Sequence, residues 1–299
     1  MRKFIFVFLF LSFCKSSWAF KDDDWTHTFF ERCNFAYQSK VNWIKEGDTK
    51  FLRFTLADGQ KGNCSRDKKR RKNSKSIPHW ERSEISSGPD SKNKFLLKSG
   101  GHYEINLRVR FFEGFISNNE SILQLYSECP WRGRCSPLLK LQSNGFYPFD
   151  SPSFLRTHVL VQREDKKKNN FSSASTLNNY YQTSVDFKDK SNGYFSPTTH
   201  KGKWIDITFF ISITPKKAML KGRIVSDSDV WTTSKQTIDI PSGYPDPYIV
   251  LGLYRPGSDL LPNPTSTIDF DYIKISEIMK EKNGKKIILD KNDPGGEHE

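Results

Sequence analysis

Residues 102–112 alternate between apolar and polar side chains without a break. Tyr103, Ile105, Leu107, Val109 and Phe111 fall on one side, and His102, Glu104, Asn106, Arg108 and Arg110 on the other. An extended strand with one buried face sorts side chains with this period of two. Residues 204–213 repeat the pattern with Ile205, Ile207, Phe209, Ile211 and Ile213. Shorter segments of the same kind lie at 50–56, 80–86, 121–126, 138–142, 158–163, 218–225, 248–254 and 267–275, separated by Gly, Pro, Asn and Ser clusters. Helical periodicity is confined to 276–282. So many strands spread over a 299-residue chain predict one all-β domain, a sandwich of two antiparallel sheets.

The N-terminus reads differently. Arg2 and Lys3 precede an apolar run from Phe4 to Phe13, and Ser17-Trp18-Ala19 supplies small residues for cleavage, the pattern of a signal peptide over 1–19. The apolar run is about half the ~20 residues a membrane-spanning helix needs. Leu11-Ser12-Phe13-Cys14 is only loosely similar to a lipoprotein box, because Phe13 is bulky. No later stretch is apolar enough to span a membrane, so a secreted or periplasmic protein is expected. The globular domain is assigned to 20–279 and a charged C-terminal tail, expected to fray, to 280–299.

Removing residues 1–19 takes away Arg2, Lys3 and Lys15 and no acid, so the net charge falls from +13 to +10. A basic exported protein suits an anionic partner, and export turns the expectation from nucleic acid toward an acidic polysaccharide. Residues 66–75 form a dense basic run, read as a solvated loop or a loop that contacts a polyanion. Residues 165–180, rich in Lys, Asn and Ser, are a second predicted loop.

Four cysteines follow the leader: Cys33, Cys64, Cys129 and Cys135. An even number in an oxidising compartment points to two disulfides. Cys129–Cys135 with Cys33–Cys64 is the most economical of the three pairings, since the first pair flanks a Pro-Trp-Arg-Gly turn. No Cys-x-x-Cys occurs and His27, His79, His102, His158 and His200 lack ligand spacing, so no metal site is expected. No acidic loop has the spacing of a dedicated calcium site either; no cofactor is expected, with calcium the one cation left open.

Three strand motifs carry the candidate chemistry. In His79-Trp80-Glu81-Arg82-Ser83-Glu84-Ile85, parity places Trp80, Arg82 and Glu84 on one face. Ile122-Leu123-Gln124-Leu125-Tyr126 presents Ile122, Gln124 and Tyr126 together. In Tyr248-Ile249-Val250-Leu251-Gly252-Leu253-Tyr254-Arg255, residues Tyr248, Val250, Gly252 and Tyr254 share a face while Leu251 and Leu253 enter the core. Gly252 is expected to leave a gap beside Tyr254 that a sugar ring can approach. Taken singly, each motif also fits a structural ion pair or a half-buried tyrosine.

Together, and followed by Asp-Phe-Asp-Tyr-Ile-Lys-Ile at 269–275, the motifs resemble the jelly-roll polysaccharide lyases: the heparin lyase I type, the glucuronan lyases and the related alginate lyases. Phe51-Leu52-Arg53-Phe54-Thr55-Leu56 is similar to the family's N-terminal core strand, and Lys201-Gly202-Lys203-Trp204 to its usual strand entry. The resemblance covers most of the chain in order. It implies a concanavalin-like jelly roll, monomeric, that cleaves a uronate-containing polysaccharide by β-elimination.

The same resemblance assigns the roles. Arg82 and Gln124 stand where the family neutralises the uronate carboxylate, and Glu84 orients Arg82. Tyr254 stands at the tyrosine that protonates the leaving oxygen and in some members also takes the C5 proton. Free tyrosine has a pKa of about 10, so a basic site has to lower it, and Arg108, Arg110, Arg255 and Lys201 are candidate contributors. Glu84, Arg108, Arg110, His102 and Arg255 are the candidate substrate-binding residues. Two positions depart from the pattern. Tyr126 replaces the usual histidine and Val250 the usual lysine, which removes a candidate base and a positive charge. Tyr126 then becomes the substitute hydrogen-bonding group or base, with His102 or His158 entering from a neighbouring strand as alternatives.

The departures also support another expectation, a non-catalytic lectin-like module that binds acidic glycans. A glycoside hydrolase on the same sandwich is disfavoured. It needs two carboxylates flanking the bond, and Glu81 and Glu84 fall on opposite sides of their strand.

Overall fold

The computed structural model describes residues 17–20, 30–31, 41–60, 80–88, 95–112, 115, 120–127, 137–144, 154–162, 180–189, 191–240, 243–256, 264–280 and 286–289. In chain order the strands begin β1 (Ser17–Phe20), β2 (Phe30–Glu31), β3 (Val41–Glu46), β4 (Thr49–Leu56), β5 (Trp80–Ser86) and β6 (His102–Phe111). They continue β7 (Ser121–Tyr126), β8 (Leu139–Asn144), β9 (Phe154–Gln162), β10 (Tyr180–Asp186), β11 (Lys188–Asp189) and β12 (Gly193–Tyr194). After a short 3-10 turn, Pro197–His200, come β13 (Trp204–Ile213), β14 (Lys217–Ser226), β15 (Asp229–Thr232) and β16 (Gln236–Asp239). The last are β17 (Tyr248–Pro256), β18 (Ser266–Lys280) and β19 (Lys286–Leu289).

All the pairings are antiparallel, and the strands form two sheets. The first runs β12-β11-β15-β14-β13-β6-β18-β4-β3, with β1 and β19 on β18 and β16 on β14. The second runs β10-β9-β8-β7-β17-β5-β2. Alternation decides what each sheet buries. Along β6 Tyr103, Ile105, Leu107, Val109 and Phe111 are buried in turn, and along β13 Ile205, Ile207, Phe209, Ile211 and Ile213. They meet Leu123, Leu125, Leu139, Leu141, Leu251 and Leu253 of the second sheet in one continuous core. Each such side chain contributes roughly 1.5–3 kcal/mol when fully buried. Truncating a central one such as Phe270 to alanine would cost about 3–5 kcal/mol. The protein is a jelly-roll sandwich of two antiparallel sheets.

Several sequence expectations change. Of the stretch 276–282 the described part, 276–280, is not helical: β18 runs through to Lys280, held by β6 as far as Glu277 and by β19 from there on. Pairing first with β6 and then with β19 outweighs a short local periodicity. Part of the C-terminal tail is therefore paired, since Lys286–Leu289 carries the apolar run Ile287-Ile288-Leu289 against Glu277–Lys280. Ser17–Phe20, at the end of the expected leader, pairs with residues 273–276. Of the predicted loop 165–180 only Tyr180 is described, as the first residue of β10. Residues 1–16, the basic run 66–75, and Cys33, Cys64, Cys129 and Cys135 lie outside the described residues. Among the described residues no helix is long and apolar enough to cross a membrane.

Candidate functional site

Arg82, Gln124 and Tyr254 come together on the outer face of the second sheet because β17 lies between β5 and β7. Arg82 pairs with Tyr254, and Gln124 with Val250, which in turn pairs with Ser86. Arg82 Nη1 donates to Glu84 Oε2 at 2.7 Å, and Gln124 Nε2 donates to Glu84 Oε1 at 2.6 Å. Glu84 thus spends one oxygen on each of the two side chains. The Arg82 guanidinium also lies over the Tyr254 ring, 4.7 Å from its centre. Arg82, Glu84 and Gln124 are buried, whereas Tyr254 and Tyr126 are partly exposed.

A tyrosine cluster closes one end. Tyr126 pairs with Tyr248, and the two rings meet edge to face at 5.7 Å. A Cβ on Gly88 would lie 2.7 Å from the Tyr248 ring, so only glycine lets the backbone pass there. Burial pushes the Tyr244 hydroxyl well above the ordinary tyrosine range, and the neighbouring Tyr126 and Tyr248 add to the effect.

The far side of the face was not anticipated. Lys140 of β8 pairs with Gln124 and with His158 of β9, so the row on this face runs Val250, Gln124, Lys140, His158. Burial pulls the Lys140 ammonium below the usual lysine value, opposed by the Glu84 charge. His158 is lowered to about 4, by burial first and then by Lys140 and Arg156. One signal for Lys140 was present: a lysine between Leu139 and Leu141 in a predicted strand points away from the core those two leucines occupy. His158 is the one of the two alternative histidines that reaches this sheet face.

Other expected contributors lie elsewhere. His102, Arg108 and Arg110 are on β6, in the first sheet, and face out on that side. His102 Nδ1 is 2.6 Å from Ser212 Oγ. Arg110 is committed to Asp269 and Glu46, each at 2.8 Å, and stacks on Trp204 at 4.7 Å. Arg53 shares Asp269 with it, and Arg108 lies 3.8 Å from Asp271. Lys201 is exposed in the turn before β13 of the first sheet.

Arg255 is not a surface cation at all. It follows Tyr254, so it points to the opposite side of β17 and is fully buried between the sheets. Its Nε donates to Glu81 Oε2 at 2.6 Å and its Nη1 to Glu120 Oε1 at 2.7 Å, with further bonds to the Pro264 carbonyl and Ser266 Oγ. Glu120 is pushed up to about 7 by burial, against the pull of Arg255, and its Oε2 is buried with no hydrogen-bond partner. Glu81 and Glu84 do face opposite sides of β5, one in this core cluster and one at the candidate site.

Two details of the motifs differ from expectation. Gly252 leaves no gap for a sugar. It has φ +125°, and a Cβ there would lie 2.2 Å from the Ser83 carbonyl oxygen and 2.9 Å from the Phe54 ring, pointing into protein. Its freedom serves the bulge where β17 shifts against β7 between Leu251 and Tyr254. Ile122 does not share the face of Gln124: β7 shifts against β8 between Ser121 and Leu123, and Ile122 turns into the core. Among the described residues no three His, Cys, Asp or Glu side chains gather as a metal site.

No sequence-family profile matches the chain, and no curated protein matches it by sequence. Among solved structures it is similar to an alginate lyase from Pseudomonas aeruginosa, at 16% identity and a TM-score of 0.46 over 80% of this chain and 87% of that one. An alginate lyase from Klebsiella pneumoniae is similar at 12% identity and TM-score 0.46, over 80% and 85%. A legume lectin-like domain from Entamoeba histolytica is similar at 10% identity and TM-score 0.42, over 86% and 95%.

Proposed function

We propose that the protein is an exported polysaccharide lyase that cleaves a uronate-containing acidic polysaccharide by β-elimination. One observation carries this reading: Arg82 and Gln124 are held on the two oxygens of Glu84, with Tyr254 stacked on the same guanidinium. In the elimination a base removes the C5 proton of the uronate. The electron pair left behind forms the C4–C5 double bond, and the C4–O bond breaks with its pair going to the leaving oxygen, which an acid protonates. The C5 proton becomes acidic enough only when the adjacent carboxylate is neutralised. Arg82 and Gln124 supply that neutralisation, and Glu84 positions both. Tyr254 donates to the leaving oxygen, and the cation beside its ring stabilises the negative charge it is left with. Tyr126, two residues beyond Gln124 on the same strand face, takes the C5 proton in its phenolate form and becomes the phenol. Free tyrosine ionises only at about pH 10, so the reaction calls for alkaline pH or for substrate-bound cations that favour the phenolate. The net charge of +10 that is left without residues 1–19 suits a polyanionic substrate.

The test is a panel of alginate, glucuronan and heparin-type glycans, followed by the ultraviolet absorbance of unsaturated uronate ends. Growing absorbance on one of them supports the reading. A flat signal on all of them from folded protein removes it.

A lectin-like acidic-glycan module is the second reading. It is favoured by the Tyr126 ring packed edge-on against Tyr248, and by fully buried Val250, at the two positions where the resembling family has histidine and lysine. Glycan binding without product, unchanged in Tyr254→Phe, would establish it.

A further inference from the structure

Lys140 lies in β8 between Leu139 and Leu141, which are both buried in the core. Its side chain therefore leaves the sheet on the same face as Gln124, its partner on one side, with His158 its partner on the other. The carboxylate that acts on its ammonium is Glu84, and both Glu84 oxygens are already taken, by Arg82 and by Gln124. His158 Nε2 is buried without a hydrogen-bond partner. Of the groups acting on His158, Arg156 is ion-paired with Asp186, and Glu84 is ion-paired with Arg82, so Lys140 is the excess positive charge on this side of the face. A partly desolvated cation beside an unpartnered ring nitrogen is costly to keep, and an arriving anion relieves that cost.

We propose that Lys140, with His158 beside it, is the specificity-determining contact for a second uronate carboxylate, that of the sugar next to the one held by Arg82 and Gln124. The inference rests on the reading of this face as a polyuronate site. Such a polymer carries a carboxylate on each residue, so a neighbouring negative charge arrives with every substrate. Lys140 stands one strand from Gln124, a step of about 4.8 Å. It provides the positive charge that Val250, on the opposite side of Gln124, does not. His158 supplies a hydrogen-bonding nitrogen rather than a second full charge, because its neutral form prevails near pH 7.

The experiment compares wild type, Lys140→Met and Lys140→Arg for binding to sodium alginate and to alginate whose carboxylates have been reduced to alcohols, alongside thermal unfolding. Lys140→Met is expected to weaken alginate binding on the order of tenfold or more. Lys140→Arg should restore most of it, and the three proteins should bind the reduced polymer alike. The Tm of Lys140→Met should equal or exceed that of wild type, because a desolvated charge is removed; a structural lysine would give a lower Tm. Unchanged alginate affinity in Lys140→Met overturns the proposal, as does an equal loss on the reduced polymer. Wild type that binds alginate without releasing product, with Lys140→Met still weaker, keeps this contact and removes the lyase reading. Wild type that binds no acidic polymer overturns both.

Discussion

Arg82 and Tyr254 are partners on adjoining strands, and the guanidinium carbon of one lies 4.7 Å from the ring centre of the other. The stack fixes the ring without using its hydroxyl. Tyr254→Phe should therefore keep the packing and lose only the proton donor. Product formation is expected to fall by roughly 10²–10⁴-fold, with glycan affinity within a few fold of wild type. Steady-state rates on the best glycan of the panel, set beside calorimetric binding, check it; an undiminished rate would remove Tyr254 from the chemistry.

Behind the site, Arg255 neutralises two carboxylates at once, and none of the three side chains reaches solvent. Truncating the arginine strands Glu81 and Glu120 together. Arg255→Ala should lose about 3–5 kcal/mol of stability, read as a drop in the urea midpoint. Arg255→Met paired with Glu81→Gln and Glu120→Gln should recover much of that, since the uncompensated charge goes with the cation.

Stability should depend on pH through two groups of opposite sign. Glu120 is raised from 4.5 to about 7, so between those values the folded chain holds a proton the unfolded chain has lost. Its contribution is full below about 4.5 and declines as pH rises toward 7. His158 is lowered from 6.5 to about 4, so the unfolded chain takes up the proton first. Its contribution is full above 6.5 and is lost as pH falls toward 4. Urea midpoints of Glu120→Gln should accordingly climb with pH more steeply than wild type across this range, and those of His158→Gln less steeply. Superimposable profiles would show that neither group is shifted by its surroundings.

Gly252 combines a φ of +125° with a carbonyl 2.2 Å from where a Cβ would sit. Gly252→Ala must either move Ser83 of β5 or flatten the bulge, and the backbone strain alone is worth about 1–3 kcal/mol. The measurements are the urea midpoint and the catalytic rate, and both should fall, because Tyr254 lies just beyond the shifted pairing.

The alternation in β6 and β13 made the sandwich legible, since a period of two has one common structural meaning. It identified the face on which each residue lies but not the sheet. Arg108 and Arg110 are indeed on a polar face, yet of the sheet opposite Gln124. For Arg255 parity was the better guide: it groups that residue with Leu251 and Leu253, and the ordinary expectation that arginines are exposed misled. Its partners Glu81 and Glu120 lie 174 and 135 residues away, a distance local pattern does not cover. Ile122 and Gly252 were misread for a shared reason. Each sits at a bulge, where one extra residue breaks the count on which parity depends.

The core cluster has a consequence for how the strands find one another. Glu81 and Arg82 are consecutive, as are Tyr254 and Arg255, and each pair sends one member inward and one outward. A slip of β5 by a single residue would carry Arg82 into the core and put Glu81 outside, leaving Arg255 facing no carboxylate of that strand. The buried charges act as a key that fits one alignment, so the side of β5 and β17 that meets a glycan is chosen from within.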